Sequence, residues 1–179
     1  PGSAHDVAVA GDYAYVADGE SGLRVVDASR PSSPSEVGFY WTPRYAEDVA
    51  VAPAGDYAYV ADGKSVLRVV DISSPTWPIE VGYYGAPGLA LDVAVAGDYA
   101  YVADGYGGLR VVDISSPVSP SEVGYCDTPG YAYGVAVAGD YAYVADGWDG
   151  LRVVDISSPV SPSEVGCYDT PGVAEGVAV

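Results

Sequence analysis

Gly139-Asp140-Tyr141-Ala142-Tyr143-Val144-Ala145-Asp146-Gly147, followed after a short gap by Leu151-Arg152-Val153-Val154-Asp155-Ile156-Ser157, is the phrase on which the fold turns. It recurs from Gly11, Gly55 and Gly97, so successive copies start 44, 42 and 42 residues apart. Self-similarity at a fixed period sets the architecture before any local motif is weighed.

Within one unit, Asp6-Val7-Ala8-Val9-Ala10 and Tyr13-Ala14-Tyr15-Val16-Ala17 alternate as half-buried strands do, and Gly11-Asp12 separates them. A Gly-Asp pair in that place specifies a two-residue hairpin, with glycine supplying the positive φ of a type II′ turn. The turn-rich Asp18-Gly19-Glu20-Ser21-Gly22 leads to a third strand, Leu23 to Asp27, which Pro31 and Pro34 close. A fourth strand is expected from Ser35 to Trp41. Units fall at about 5–47, 48–91, 92–133 and 134–175, and 176–179 reads as the first strand of a further unit. The insertion Pro53-Ala54 lengthens the second hairpin, and the third and fourth units are near copies, as recent duplication leaves them.

Four short antiparallel strands in about 42 residues, with no helical period between them, match a propeller blade. The fold class is therefore all-β, a β-propeller of four-stranded blades in a single repeat domain spanning 1–179. The Leu-Arg-Val-Val-Asp-Ile-Ser phrase at Leu67, Leu109 and Leu151, with Ala28 replacing the isoleucine in the first copy, resembles the LVIVD repeat. That resemblance covers essentially the whole chain. It implies a propeller of bacterial or archaeal surface or secreted proteins, hence an extracellular or cell-surface location, and it implies no particular reaction.

Net charge is −18, from 25 acidic and 7 basic side chains. Such a surface repels nucleic acid and anionic membranes, and no apolar run reaches the roughly 18 residues of a membrane-spanning helix. Proteins, sugars and divalent cations stay admissible as partners. The chain begins at Pro1 and contains no Asn, Gln or Met, a composition that suits heat adaptation or a salty or acidic exterior. A chain opening without methionine is expected to be processed or a segment of something longer. A closed ring has only one place for an innermost strand, so a second one at Val177 favours a longer array or chains joined end to end. Partners are thus other copies of this chain or other surface proteins, with carbohydrate also admitted.

The third and fourth units differ at Tyr106/Trp148, Gly107/Asp149, Tyr125/Cys167, Cys126/Tyr168, Tyr131/Val173 and Tyr133/Glu175. All lie in the link between the second and third strands or around the link to the next unit. In an up-and-down blade these links share one end. Trp41, Arg44, Tyr45, Lys64, Tyr106, Tyr131, Tyr133, Trp148 and Asp149 therefore form the candidate recognition face, in which aromatic rings give contact area at low entropic cost. Drift of unconstrained loops explains the same clustering and weighs slightly more.

Recurrent chemical groups read mostly as structure. Asp18, Asp62, Asp104 and Asp146 before glycine, and Asp27, Asp71, Asp113 and Asp155 before Ser, suit turn chemistry better than calcium, and no EF-hand spacing is present. Arg24, Arg68, Arg110 and Arg152 sit mid-strand and need carboxylates such as Asp18 or Glu36, giving a structural ladder. His5 is the single histidine, no Ser or Cys stands in a nucleophile context, and Gly105-Tyr106-Gly107-Gly108 has no following helix to cradle a phosphate. Cys126 and Cys167 occupy adjacent positions on opposite faces of successive fourth strands, so they either meet between blades as a disulfide or point apart. The sequence thus favours a non-enzymatic binding or assembly scaffold without a cofactor. The alternative is an enzyme or calcium-dependent module using acidic residues on the same face.

Overall fold

The structure, a computed structural model, describes residues 2–64 and 66–179. It contains four four-stranded antiparallel sheets, each in plain sequence order. The first comprises β1 (Asp6–Ala10), β2 (Tyr13–Ala17), β3 (Leu23–Asp27) and β4 (Ser35–Tyr40). The second comprises β5 (Asp48–Val51), β6 (Tyr57–Ala61), β7 (Val66–Asp71) and β8 (Ile79–Gly85). The third holds β9 (Asp92–Ala96), β10 (Tyr99–Ala103), β11 (Leu109–Asp113) and β12 (Ser121–Cys126), and the fourth β13 (Gly134–Ala138), β14 (Tyr141–Ala145), β15 (Leu151–Asp155) and β16 (Ser163–Tyr168). The blades stack face to face, and the first strands β1, β5, β9 and β13 follow one another along the inner side.

The hairpin chemistry is as the sequence specifies. Ala10 pairs with Tyr13 across a two-residue loop whose Gly11 has φ +57°, a value that a side chain would strain. In blade 2 the inserted Pro53-Ala54 widens this loop, and Gly55 takes the positive φ instead.

Alternation along each strand divides each sheet into two faces, and both are apolar near the axis. The forward face of blade 1, with Tyr15, Ala17, Leu23 and Val25, packs on the rear face of blade 2, with Val49, Ala58, Val60 and Val70. The same residue types meet between blades 2 and 3 and between blades 3 and 4. Each interface seals apolar area on both sides, so stability arises largely from neighbour on neighbour, as in other repeat arrays.

A register shift recurs on each fourth strand, between Val25 and Val26 and at the equivalent points of the other blades. The extra residue, Val37 in blade 1, is a bulge that increases local twist. It presents Gly38 to the loop of the next blade, where an added Cβ would lie 2.2 Å from the Pro75 carbonyl oxygen. Gly82 and Gly124 meet Pro117 and Pro159 in the same way, each at 2.3 Å. Glycine here is required by backbone approach.

The expected strand at 176–179 does not form. Ala174 bridges back to Gly147 just before it. The four sheets also do not close: Val7 on the rear of blade 1 is 54% exposed, whereas its counterpart in blade 2, Val49, is 3% exposed.

Candidate recognition face

The links expected at one end of the blades are found together and are bonded to each other. Gly19 and Ala46 exchange backbone hydrogen bonds at 3.2 and 3.1 Å, as do Gly105 with Ala132 and Gly147 with Ala174. Each interblade link is also held by the blade ahead of it. Arg44 N–H donates to Asp62 at 3.2 Å, Gly88 N–H to Asp104 at 2.8 Å and Gly130 N–H to Asp146 at 2.9 Å, while the Thr128 hydroxyl donates to Asp146. The face is therefore a rigid lattice of backbone carrying variable side chains.

These aspartates do more than turn the chain. Asp62, Asp104 and Asp146 are fully buried, and burial pushes their carboxyls up, that of Asp104 to about 6. Each also faces the arginine of its own blade: Arg110 Nε lies 3.6 Å from Asp104 and Arg152 Nε 3.6 Å from Asp146. The ladder is completed by glutamates on the fourth strands, with Arg24 at 3.6 Å from Glu36, Arg68 at 2.8 Å from Glu80 and Arg152 at 3.5 Å from Glu164. A carboxylate joining an arginine to the preceding blade's link escapes sequence reading because the link N–H groups it accepts from lie 16 to 18 positions away. Its recurrence was the available signal. Asp27, Asp71, Asp113 and Asp155 behave as expected: each accepts the N–H of the second residue on, at 2.8–2.9 Å, and the Ser partner pulls its carboxyl below the usual range.

Two clefts open on this face. One, of about 560 Å³, is lined by Arg44, Tyr45 and Lys64, together with Glu20, Glu47 and Leu89. His5 supports it, with Nδ1 3.5 Å from Glu47 and its ring edge-on to Tyr45 at 5.1 Å. Lys64 takes a left-handed φ of +25° in a turn whose fifth residue is Val66 where the other blades have Gly22, Gly108 and Gly150. Gly85 lies opposite Val66 on β8.

The other cleft, of about 690 Å³, is lined by Tyr106, Tyr131, Tyr133, Trp148 and Asp149 with no basic side chain. Tyr131 is the hub: its ring centroid lies 4.7 Å from both Tyr106 and Tyr133. Tyr131 also packs on Gly105, where an added Cβ would lie 2.9 Å from its ring. Tyr106 and Trp148 extend into solvent as the exposed edge of the cluster.

Eight of the nine candidate residues thus gather in these two clefts. Trp41 does not. It continues the alternation of β4 onto the rear sheet face of blade 1, edge-on to Phe39 at 6.5 Å and 5.2 Å from the Arg24 guanidinium. The cysteines are both free, so the disulfide held open by the sequence is not formed. Cys126 is half-buried against the core between blades 3 and 4, where burial raises its thiol; Cys167, paired across the sheet with Arg152, is exposed. Among the described residues, no group of three or more His, Cys, Asp or Glu is arranged to hold a metal ion.

Stacked blades of one repeating sequence define a propeller-type repeat protein. The LVIVD repeat model matches residues 1–42, 43–85, 87–128 and 129–170, and the chain belongs to this repeat family. No curated protein matches it. Among solved structures it is similar to a functionally unknown protein from Desulfotomaculum acetoxidans DSM 771, with 14% identity and a TM-score of 0.80, covering 96% of this chain and 58% of that one. It is also similar to the computationally designed Ika8 protein, with 8% identity and a TM-score of 0.78, covering 97% of this chain and 51% of that one. The chain therefore spans little more than half the length of these structural relatives.

Proposed function

We propose that the protein is a non-enzymatic, extracellular recognition scaffold that takes its ligand on the face carrying the two clefts. The observation that supports this reading most is the cluster of Tyr106, Tyr131, Tyr133 and Trp148 around a cleft of about 690 Å³. The three tyrosine rings, held by one another and by Gly105, are preorganised, so a ligand stacking on them orders little on binding, and Trp148 stands exposed beside them. Asp149 at the rim supplies hydrogen-bond acceptors, and the excess of acidic groups disfavours anionic ligands. An uncharged sugar chain meets both conditions, since its hydroxyls donate to carboxylates while its ring faces lie on tyrosine and tryptophan.

Titration with cellohexaose and maltohexaose, followed by tryptophan fluorescence and calorimetry, tests the proposal. The expected result is saturable binding of one of these sugars, weakened at least about tenfold by Trp148→Ala, in keeping with the loss of one anchoring ring. Absence of binding to either sugar, or full affinity in a Tyr106→Ala, Trp148→Ala double variant, would remove the basis for the reading.

A further inference from the structure

We infer that the charged cleft at blades 1 and 2 is a second ligand site, one that takes a short peptide with free ends and apolar side chains. It is built on the same plan as the aromatic cleft two blades further on. Tyr45 stands where Tyr131 stands: each comes two positions after a proline, and each ring rests on a glycine. An added Cβ would lie 3.0 Å from the Tyr45 ring at Gly19 and 2.9 Å from the Tyr131 ring at Gly105. Around that shared hub the other rings are exchanged for charges. Glu20 holds the place of Tyr106, Glu47 that of Tyr133 and Lys64 that of Trp148, while Arg44 replaces Gly130.

These exchanges leave charges of both signs unused by the fold. Of the seven basic side chains, Arg24, Arg68, Arg110 and Arg152 are engaged in the ladder, and Arg30 follows β3 at the other end of the blade. Arg44 and Lys64 are the two that remain; both are exposed and both line this cleft. Among the described residues neither takes part in an ion pair, nor does Glu20, which lines the cleft with them. Leu89 and Leu91, from the link between blades 2 and 3, add an apolar wall. Every lining group lies between Glu20 and Leu91, well inside the chain.

A peptide with free ends uses each of these groups. Its terminal carboxylate meets the planar fork of Arg44 and the ammonium of Lys64, its terminal ammonium meets Glu20, and its apolar side chains lie on Leu89 and Leu91. Such a ligand carries no net charge, so the field of a chain at −18 does not repel it as it would an anion. The cleft, at about 560 Å³, has the size of a small-ligand pocket and is larger than one amino acid fills.

Calorimetric titration of the 179-residue chain with the tripeptide leucyl-alanyl-leucine, beside its C-terminally amidated and N-terminally acetylated forms, tests the inference. Saturable binding of the free peptide is expected, weakened at least about tenfold by amidation and severalfold by acetylation, as for the loss of charge-assisted hydrogen bonds. An Arg44→Ala, Lys64→Ala double variant removes exposed side chains and keeps the Arg44 N–H that donates to Asp62, so it should lose the peptide with an unchanged circular dichroism spectrum. Trp148→Ala, placed in the aromatic cleft, should bind the peptide as the wild type does. No binding of the free peptide, equal affinity for the amidated or acetylated form, full affinity in the double variant, or a loss caused by Trp148→Ala would each overturn the assignment.

Discussion

The interface between blades 2 and 3 and the one between blades 3 and 4 are built from nearly the same strands, yet their outer rims differ. At the first, Tyr84 donates to Glu122 and Tyr125 covers Arg110, with the guanidinium carbon 4.7 Å from the ring centre. At the second, Cys126 stands in place of the tyrosine and Cys167 in place of the aromatic, and Arg152 is met by Asp149 at 3.6 Å and Asp169 at 3.8 Å in addition to Asp146 and Glu164. The inner parts do not change: Val93 N–H donates to Asp48 at 2.8 Å, and Val135 N–H to Asp92 at 2.7 Å. Both arginines also meet the acid that follows the fourth strand, Asp127 for Arg110 at 3.4 Å and Asp169 for Arg152 at 3.8 Å. The comparison thus teaches that near the axis the repeat is held by backbone and carboxylate, while at the rim the aromatic cover of one arginine gives way to a single further carboxylate, Asp149, at the other.

The largest effect should come from breaking what the two interfaces share. Gly124→Val drives a side chain into the Pro159 carbonyl and should cost about 3 kcal/mol, read as a lower urea midpoint, because overpacking against backbone cannot relax. An equal midpoint would show that the proline loop moves aside freely and that the approach is incidental.

A smaller change probes the axis. Burial, then the neighbouring Asp92, holds Asp48 far above the ordinary carboxylate range, and burial raises Asp92 as well. A carboxyl raised in the folded state is protonated there while the unfolded chain is ionised, so stability is fully present below the ordinary value near 3.8 and falls as pH rises toward the folded value. Asp48→Asn retains an acceptor for the Val93 N–H without the proton uptake. Urea midpoints should therefore decline between pH 5 and pH 9 in the wild type and less steeply in the variant, with a gain of about 2 kcal/mol at the alkaline end. Parallel declines would mean that the proton resides elsewhere.

The smallest effect sharpens the rim. Cys126→Tyr should restore the missing donor to Glu164 and raise stability by about 1 kcal/mol. A loss of stability instead would show that the interface between blades 3 and 4 has closed around the smaller side chain.

Much of this was legible in the residues themselves, because its causes are local. Alternation gave the strands, Gly11-Asp12 the hairpin, and an arginine in mid-strand the requirement for acids, which Asp62 and Glu80 meet for Arg68. The clustering of differences between the third and fourth units pointed to the face where Tyr106, Tyr131 and Trp148 line one cleft. What stayed hidden depends on placement in space. The alternation that orders β4 carries Trp41 onto a sheet face even though its sequence neighbours Arg44 and Tyr45 enter a cleft. Asp146 reads as half of an Asp-Gly turn until Gly130 and Thr128 are seen beside it. Val177 to Val179 carry the composition of a strand, but a strand is defined by its partner.

The sameness of the hairpins has a consequence for how the chain reaches this state. Tyr-Ala-Tyr-Val-Ala occurs four times with the same partners, so an unfolded chain offers each first strand three wrong matches of nearly equal energy. Two-residue loops resolve the contest by rate, since neighbours at that spacing meet long before strands a blade apart. The links that bond Gly19 to Ala46 and Arg44 to Asp62 then let each finished blade receive the next. During synthesis this order follows the emergence of the chain, whereas after dilution from denaturant all four copies compete at once, and exchange of hairpins between molecules is the error to expect.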